Sequence, residues 1–257
     1  MTPSPSPAVA PAPDDIPRDA ASVVLLREGP LGLEVLMMRR HQNSRDMGGA
    51  YVFPGGKLDE ADVLAEGDSE LARSMQQRLG EPALSAQRAL GLFRAAAREA
   101  MEECAVHIAL EALQPWTRWI TPVQSMQMSR RFDTRFFLAR MPEGQEARHD
   151  NHEATETLWL TPREALRRMA QGDINMGPPQ VQSLIHLTLH SRIDSVFDEA
   201  RRTPPPVIMP HRLQVNGTVT MCYPGDPAHP VATRALPGPT RLDFQDGRFV
   251  VPPAWWA

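Results

Sequence analysis

Three carboxylates within one helical turn constrain this chain more than any other feature. A run with helical periodicity begins near Leu84 and ends in Arg98-Glu99-Ala100-Met101-Glu102-Glu103-Cys104-Ala105-Val106. At 100° per residue, Leu90, Phe93, Ala97, Met101 and Cys104 share one side and are expected to form a buried stripe. Glu99, Glu102 and Glu103 project from the other side. Glu99 and Glu103 are a like-charge i,i+4 pair, which costs an isolated helix about 0.2–0.5 kcal/mol. Only Glu102 has a basic residue, Arg98, four positions before it. Two readings answer this repulsion: an ordinary solvated face, or a cation held among the carboxylates. Hard oxygen donors of this kind suit Mg²⁺ or Mn²⁺, which proteins hold with a few carboxylates plus substrate phosphates.

Composition narrows the setting of that helix. A chain of 257 residues buries one large core, with room for an appendage. The 42% hydrophobic and 23% charged content is ordinary for a globular protein, and the net charge of −4 leaves no footprint for nucleic acid. No apolar run reaches the ~20 residues that span a bilayer, and no basic run suggests a membrane surface. Cys104 and Cys222 stand far apart in sequence, which argues against a disulfide framework and for a reducing, cytoplasmic location. The start of the chain lacks a secretory pattern, and Trp255-Trp256-Ala257 is no peroxisomal address.

Taken in order, residues 1–19 are rich in Pro, Ala and Ser and are expected to form a disordered tail. A main domain is expected over 20–202. Strands are expected at Ala21–Leu26, Leu33–Arg39, Tyr51–Phe53, Trp116–Thr121, Phe132–Met141 and Thr155–Leu160. Paired glycines in Phe53-Pro54-Gly55-Gly56 allow positive φ and close backbone approach to a ligand. Residues 58–83 read as an acidic, solvated loop turning helical from Glu70 to Leu79, and Ser85 is placed to cap the main helix. Thr161-Pro162-x-Glu164 starts a helix that stops at Gly172, and Pro178–Ser195 reads as one further helix. Strands interleaved with helices indicate an α/β protein whose mixed sheet is covered on both faces. Pro204-Pro205-Pro206 marks the start of a Pro-rich extension, 203–257, with β-like pieces at Arg212–Tyr223 and Arg248–Val251. It is either packed on the core or an oligomer contact, such as that of a homodimer.

Gly56 followed by Arg98-Glu99-x-x-Glu102-Glu103 resembles the Nudix box: Gly, five residues, Glu, seven residues, Arg-Glu-aliphatic-x-Glu-Glu-x-Gly-aliphatic. Ala100 and Ala105 replace the larger aliphatic and the Gly, and Val106 matches. The Arg follows the Gly by 42 positions instead of about fourteen, so about 28 residues are inserted. The position eight before the Arg, where the isolated Glu is expected, holds Leu90. Upstream, Leu36-Met37-Met38-x-Arg40-His41-x3-Arg45-x3-Gly49-x3-Phe53-Pro54-Gly55-Gly56 is similar to the pattern of coenzyme A-cleaving Nudix enzymes at its basic, Gly and Phe-Pro-Gly-Gly positions. The long insertion, Arg118–Pro122 and Arg131–Phe137 resemble that coenzyme A diphosphatase branch too.

The resemblance implies a Nudix fold, an α/β/α sandwich. It implies that Glu99, Glu102 and Glu103 hold Mg²⁺ or Mn²⁺, with Arg98 orienting a carboxylate and Glu102 or Glu103 acting in catalysis; Glu153 and Glu156 are further candidates for the general base. Arg40, Arg45, Gly55 and Gly56 would bind the substrate, since arginines clasp phosphates bidentately. The implied reaction is hydrolysis of coenzyme A or acyl-coenzyme A to 3′,5′-ADP and a phosphopantetheine. The same chemistry on NADH, ADP-ribose or another nucleotide is one alternative, and a non-catalytic nucleotide-binding module is another. Elsewhere, His186 and His190 have the i,i+4 spacing of zinc ligands but no third ligand in sequence, so they read as a helix face. His149, Asp150 and His152 read as a solvated loop, and Cys104 as core.

Overall fold

The computed structural model describes residues 16–64, 69–123, 128 and 130–257. Strand β1 runs Arg18–Gly29, so Arg18 and Asp19 belong to the sheet and not to the tail expected over 1–19; residues 1–15 of that tail lie outside the described residues. The early start has a partner and an anchor. β6 (Phe132–Arg140) pairs with β1 in parallel from Arg18↔Phe132 to Leu26↔Arg140, and Asp19 is ion-paired to Arg88 and Arg135.

Around this pair the main sheet has the order β3 (Tyr51–Val52), β2 (Gly32–Arg40), β1, β6, β5 (Gln114–Ile120), β8 (Val207–Ile208). β4 (Gly55–Lys57) adds to β1 and β7 (Ala154–Leu160) to β2. The β1–β6 and β5–β8 pairs are parallel and the others antiparallel, giving the expected mixed sheet. Alternation along each strand splits the core in two. Val23, Leu25, Leu36, Met38, Phe137 and Ala139 face one layer, and Val24, Leu26, Val35, Met37, Phe136 and Leu138 face the other. Both sides of these strands are apolar because both faces are covered.

The first layer is α1 (Glu60–Leu64), α2 (Ser69–Leu79) and α3 (Ala86–Cys104). Ser85 caps α3 by accepting from the Arg88 N–H, and Ala105 ends it in the left-handed conformation. Phe93 is fully buried against Phe137, ring centroids 4.7 Å apart, a burial worth about 1.5–3 kcal/mol. The inserted α2 buries Ala72, Met75 and Leu79 on α3. Its Arg78 lies over the Phe93 ring and donates to the carbonyls of Glu111 and Leu113.

The second layer is α4 (Pro162–Gln171), α5 (Pro178–Leu187) and α6 (Ile193–Arg202). The single helix expected over 178–195 is two helices. The Thr188 hydroxyl bonds back to the Ile185 carbonyl, α5 ends, and the Ile193 N–H that opens α6 is capped by Glu28 of β1. The C-terminal residues form a second, antiparallel sheet of β9 (His211–Val215), β10 (Thr218–Cys222), β11 (Arg241–Gln245) and β12 (Arg248–Phe249). Met221, Tyr223, Leu236, Leu242 and Phe249 are buried in the second core, so the extension packs on the main body. Among the described residues, no helix is long and apolar enough to cross a membrane.

Candidate active site

The acidic helix presents its carboxylates unevenly. Glu99 and Glu103 are buried, at 8% and 5% exposure, while Glu102 is exposed. Met101, expected in the apolar stripe, is 40% exposed. The buried side of α3 is therefore rotated toward the two acids, because the Phe53–Gly56 segment is laid against them. The Gly55 N–H donates to Glu103 at 2.8 Å. A Cβ on Gly56 would overlap the Glu99 carboxylate. Only glycine leaves the backbone that close to the acids.

Two glycines in a row thus do different work, and their substitutions should differ. A Cβ on Gly55 would lie 2.5 Å from the Ala21 carbonyl oxygen and 2.7 Å from Ser22 Cα, both fixed in β1. Gly55→Ala is expected to cost about 1–3 kcal/mol in equilibrium denaturation, the usual penalty of overpacking. The atoms nearest a Cβ on Gly56 are the movable end of Glu99, so Gly56→Ala should cost much less. Equal losses of stability would contradict this assignment.

Burial makes the acid pair electrostatically strained. The Glu103 carboxyl is pushed up to about 8, first by desolvation and then by the charges of Glu99 and Glu153; the Gly55 N–H and Arg40 oppose the rise. The Glu99 carboxyl is raised for the same reason, against the pull of Arg98. Arg98 holds the cluster together. Its Nε and Nη2 donate to the two Asp62 oxygens at 3.1 and 3.0 Å, its Nη1 to Glu99 and Glu102 at 2.8 and 2.9 Å, and its Nη2 to the Lys57 carbonyl at 3.1 Å. These contacts, the Asp62 bond first, hold the guanidinium above its usual range.

Asp62 corrects the reading of the insertion as a solvated loop. It is buried at 6% exposure, and its carboxylate also accepts from the Asp59 N–H at 3.0 Å. Gly91 lets α1 approach α3, since a Cβ there would meet Val63, Leu58 and the Asp62 carbonyl at 3.0–3.4 Å. A signal for Asp62 was present in the sequence: it follows Gly56 after five residues, the box spacing counted forward from the Gly. Counting back from Arg98 across the insertion leads instead to Leu90, which is core.

Beside the acids opens a cleft of about 370 Å³, lined among others by Arg40, Gly55, Gly56, Glu153, Trp119, Phe132, Met221 and Phe249. Arg40 Nε is buried with no hydrogen-bond partner among the described residues. Arg45 is exposed and does not line the cleft, so the two arginines matched by register part company in space. Of the two distant acids, Glu153 lines the cleft and its charge reaches Glu99 and Glu103. Glu156 is taken by the Tyr51 hydroxyl at 2.6 Å. The loop read as solvated serves to place Glu153: the Asp150 carboxylate accepts from the N–H groups of His152, Glu153 and Ala154 at 3.0–3.1 Å. Cys104 is core as expected, its thiol raised to about 12 chiefly by burial.

A family profile, the NUDT19 Nudix domain, matches residues 97–187. Acyl-coenzyme A diphosphatase NUDT19 of Xenopus laevis is 42% identical over 77 residues, which cover 30% of this chain and 20% of that protein. Its namesake in Gallus gallus is 36% identical over 90 residues, 33% and 23% of the two chains. The match thus spans under a quarter of these relatives' length. Putative nudix hydrolase 7 of Caenorhabditis elegans is 24% identical over 224 residues, 81% of this chain and 73% of its own. In fold, the crystal structure of a NUDIX hydrolase from Alicyclobacillus acidocaldarius superposes with a TM-score of 0.56 at 21% identity, covering 72% of this chain and 96% of that one. The chain thus shares the α/β/α fold of that NUDIX hydrolase structure, and over residues 97–187, the part that carries most of the acidic helix, it is similar to the NUDT19 Nudix domain.

Proposed function

We propose that this chain hydrolyses the diphosphate of a nucleoside diphosphate-linked substrate, with coenzyme A or an acyl-coenzyme A as the substrate class. Products would be 3′,5′-ADP and a phosphopantetheine, acylated or free. The observation that carries the reading is the buried, mutually repelling pair Glu99/Glu103 set against Gly55–Gly56 at the edge of a cleft that also holds Arg40 and Glu153. The relatives named as acyl-coenzyme A diphosphatases support the substrate class. So do the cleft's apolar walls from Trp119, Phe132, Met221 and Phe249, which suit a pantetheine or acyl chain beside a polar end.

The donor set fits a hard divalent cation. Glu99 and Glu103 supply buried oxygens whose repulsion a cation would relieve, and Glu102 flanks them at the solvent edge under the hold of Arg98. When bound, Mg²⁺ or Mn²⁺ neutralises diphosphate oxygens and makes a bound water more acidic. The protein's own part is positional. The Gly55 N–H fixes Glu103, Arg98 fixes Glu99 and Glu102, and Arg40 offers an unused Nε–H to a phosphate oxygen. Glu153, at the cleft wall and not engaged like Glu156, takes the proton from the attacking water.

Incubation of the purified chain with coenzyme A and Mg²⁺ should release 3′,5′-ADP, resolved by chromatography, and EDTA should stop it. Cleavage of NADH or ADP-ribose but not coenzyme A would overturn the substrate class, and no cleavage of any diphosphate would move the reading to a nucleotide-binding module. Arg40→Ala should lower kcat/KM about 10- to 100-fold, mainly through KM, the worth of one hydrogen bond to a charged group. Arg45→Ala should change it little.

A further inference from the structure

We propose that His186, His190 and Glu199 form a second metal site, for a zinc-class ion, on the sheet face opposite the acidic helix. His186 lies on α5, His190 just beyond its end, and Glu199 on α6. The i,i+4 spacing stacks the two imidazoles with centroids 5.7 Å apart, and Trp116 of β5 covers His186 at 5.2 Å. The Glu199 carboxylate divides itself between them, Oε1 at 2.8 Å from His186 Nε2 and Oε2 at 3.1 Å from His190 Nε2. Ligand atoms of all three residues lie within 4.8 Å of one another.

Hydrogen accounting singles out His190. The Ser195 hydroxyl donates to the Arg192 carbonyl at 2.8 Å, so its oxygen accepts from His190 Nδ1 at 2.9 Å. The proton of a neutral ring is then on Nδ1, and Nε2 presents a lone pair. That nitrogen is buried, on a side chain 9% exposed, without a hydrogen bond among the described residues, and its near neighbour is a carboxylate oxygen. Two lone pairs facing each other call for a positive charge between them. The Nδ1–Ser195 bond is also the kind of outer contact that fixes the tautomer of a metal-binding histidine. Two imidazoles and one carboxylate, with a fourth position for water, match the ligand set of zinc better than that of Mg²⁺. The third ligand was invisible in sequence because it comes from the next helix, thirteen residues after His186.

The alternative source of positive charge is a proton on His190, and the experiment separates the two. The full chain, stripped of metal by chelation, is titrated with Zn²⁺ in excess Mg²⁺ by calorimetry, and with Co²⁺ by visible absorption. One Zn²⁺ per chain is expected, with tetrahedral Co²⁺ bands, and both should persist in Glu103→Gln. His190→Ala and Glu199→Gln should each weaken Zn²⁺ about a hundredfold or more, with circular dichroism unchanged. The partly exposed Glu199 serves as the second variant if His190→Ala unfolds. Absence of Zn²⁺ binding, binding that survives both substitutions, or binding lost in Glu103→Gln would overturn the site.

Discussion

Glu103→Gln should lower metal-dependent diphosphate hydrolysis by roughly a hundred- to a thousandfold while raising the melting temperature of the metal-free protein above pH 7. Both effects come from one buried charge. The unperturbed carboxyl titrates at 4.5, and in the fold it is pushed up to about 8, chiefly by desolvation. Between those values the folded chain binds more protons than the unfolded one, so stability falls as pH rises from about 5 to about 8. The penalty is fully present above the folded value, absent below the unfolded one, and on the order of a few kcal/mol. Glutamine keeps the shape and accepts from the Gly55 N–H but carries no charge, so the slope should flatten. Saturating Mg²⁺ should restore the wild-type chain at pH 8 by binding the folded state alone, and should do much less for the variant. Melting curves at pH 5, 6, 7 and 8, with and without Mg²⁺, check the claim. A wild-type profile flat across that range would contradict the account of strain at this site, and full turnover in the variant would contradict its role.

Much of this site could be read from the sequence, and what could not has identifiable causes. Continuous apolar, β-branched runs marked the strands, because both faces of the main sheet are covered and few polar residues interrupt them. The register of Arg40 with Phe53 to Gly56 was legible because it lies within one short stretch, while the acidic helix stood out by its own three carboxylates. The face of α3 was misjudged at Met101 and at the two buried acids, since periodicity assumes that carboxylates seek water. Here a glycine pair from another segment occupies that space instead. Asp62 was misread for a similar reason: its partner Arg98 is 36 residues away, and composition alone makes an acidic stretch look solvated. The break between α5 and α6 depends on Glu28 reaching the Ile193 N–H, a contact across 165 residues that no local pattern encodes. Arg45 shows the converse, a residue in perfect register whose side chain stays outside the cleft.

Arg98→Lys should be nearly as damaging as Arg98→Met, although it keeps the charge. The guanidinium has five N–H donors, and all five are used: one from Nε and one from Nη2 to Asp62, two from Nη1 to Glu99 and Glu102, and one from Nη2 to the Lys57 carbonyl. A lysine ammonium has three donors and no plane, so at least two of these acceptors lose their partner. Asp62 and Glu99 are both buried, and stranding a buried charge costs about 3–5 kcal/mol. Arg98 keeps about a quarter of its side chain exposed, so the low end of that range is expected. The loss should not stop at stability. Arg98 joins α1, β4 and α3 in one residue, so without it Glu99 and Glu102 are free to swing from the cleft edge, and divalent-cation affinity should fall with them. A double-mutant cycle with Asp62→Asn isolates the link to the insertion. If Asp62 supports Arg98, the two substitutions together should cost clearly less than the sum of the single ones, because the first already strands the partner that the second removes. Additive costs would mean that the insertion helix and the acidic helix are stabilised independently, and that Asp62 does not stand in for the box carboxylate.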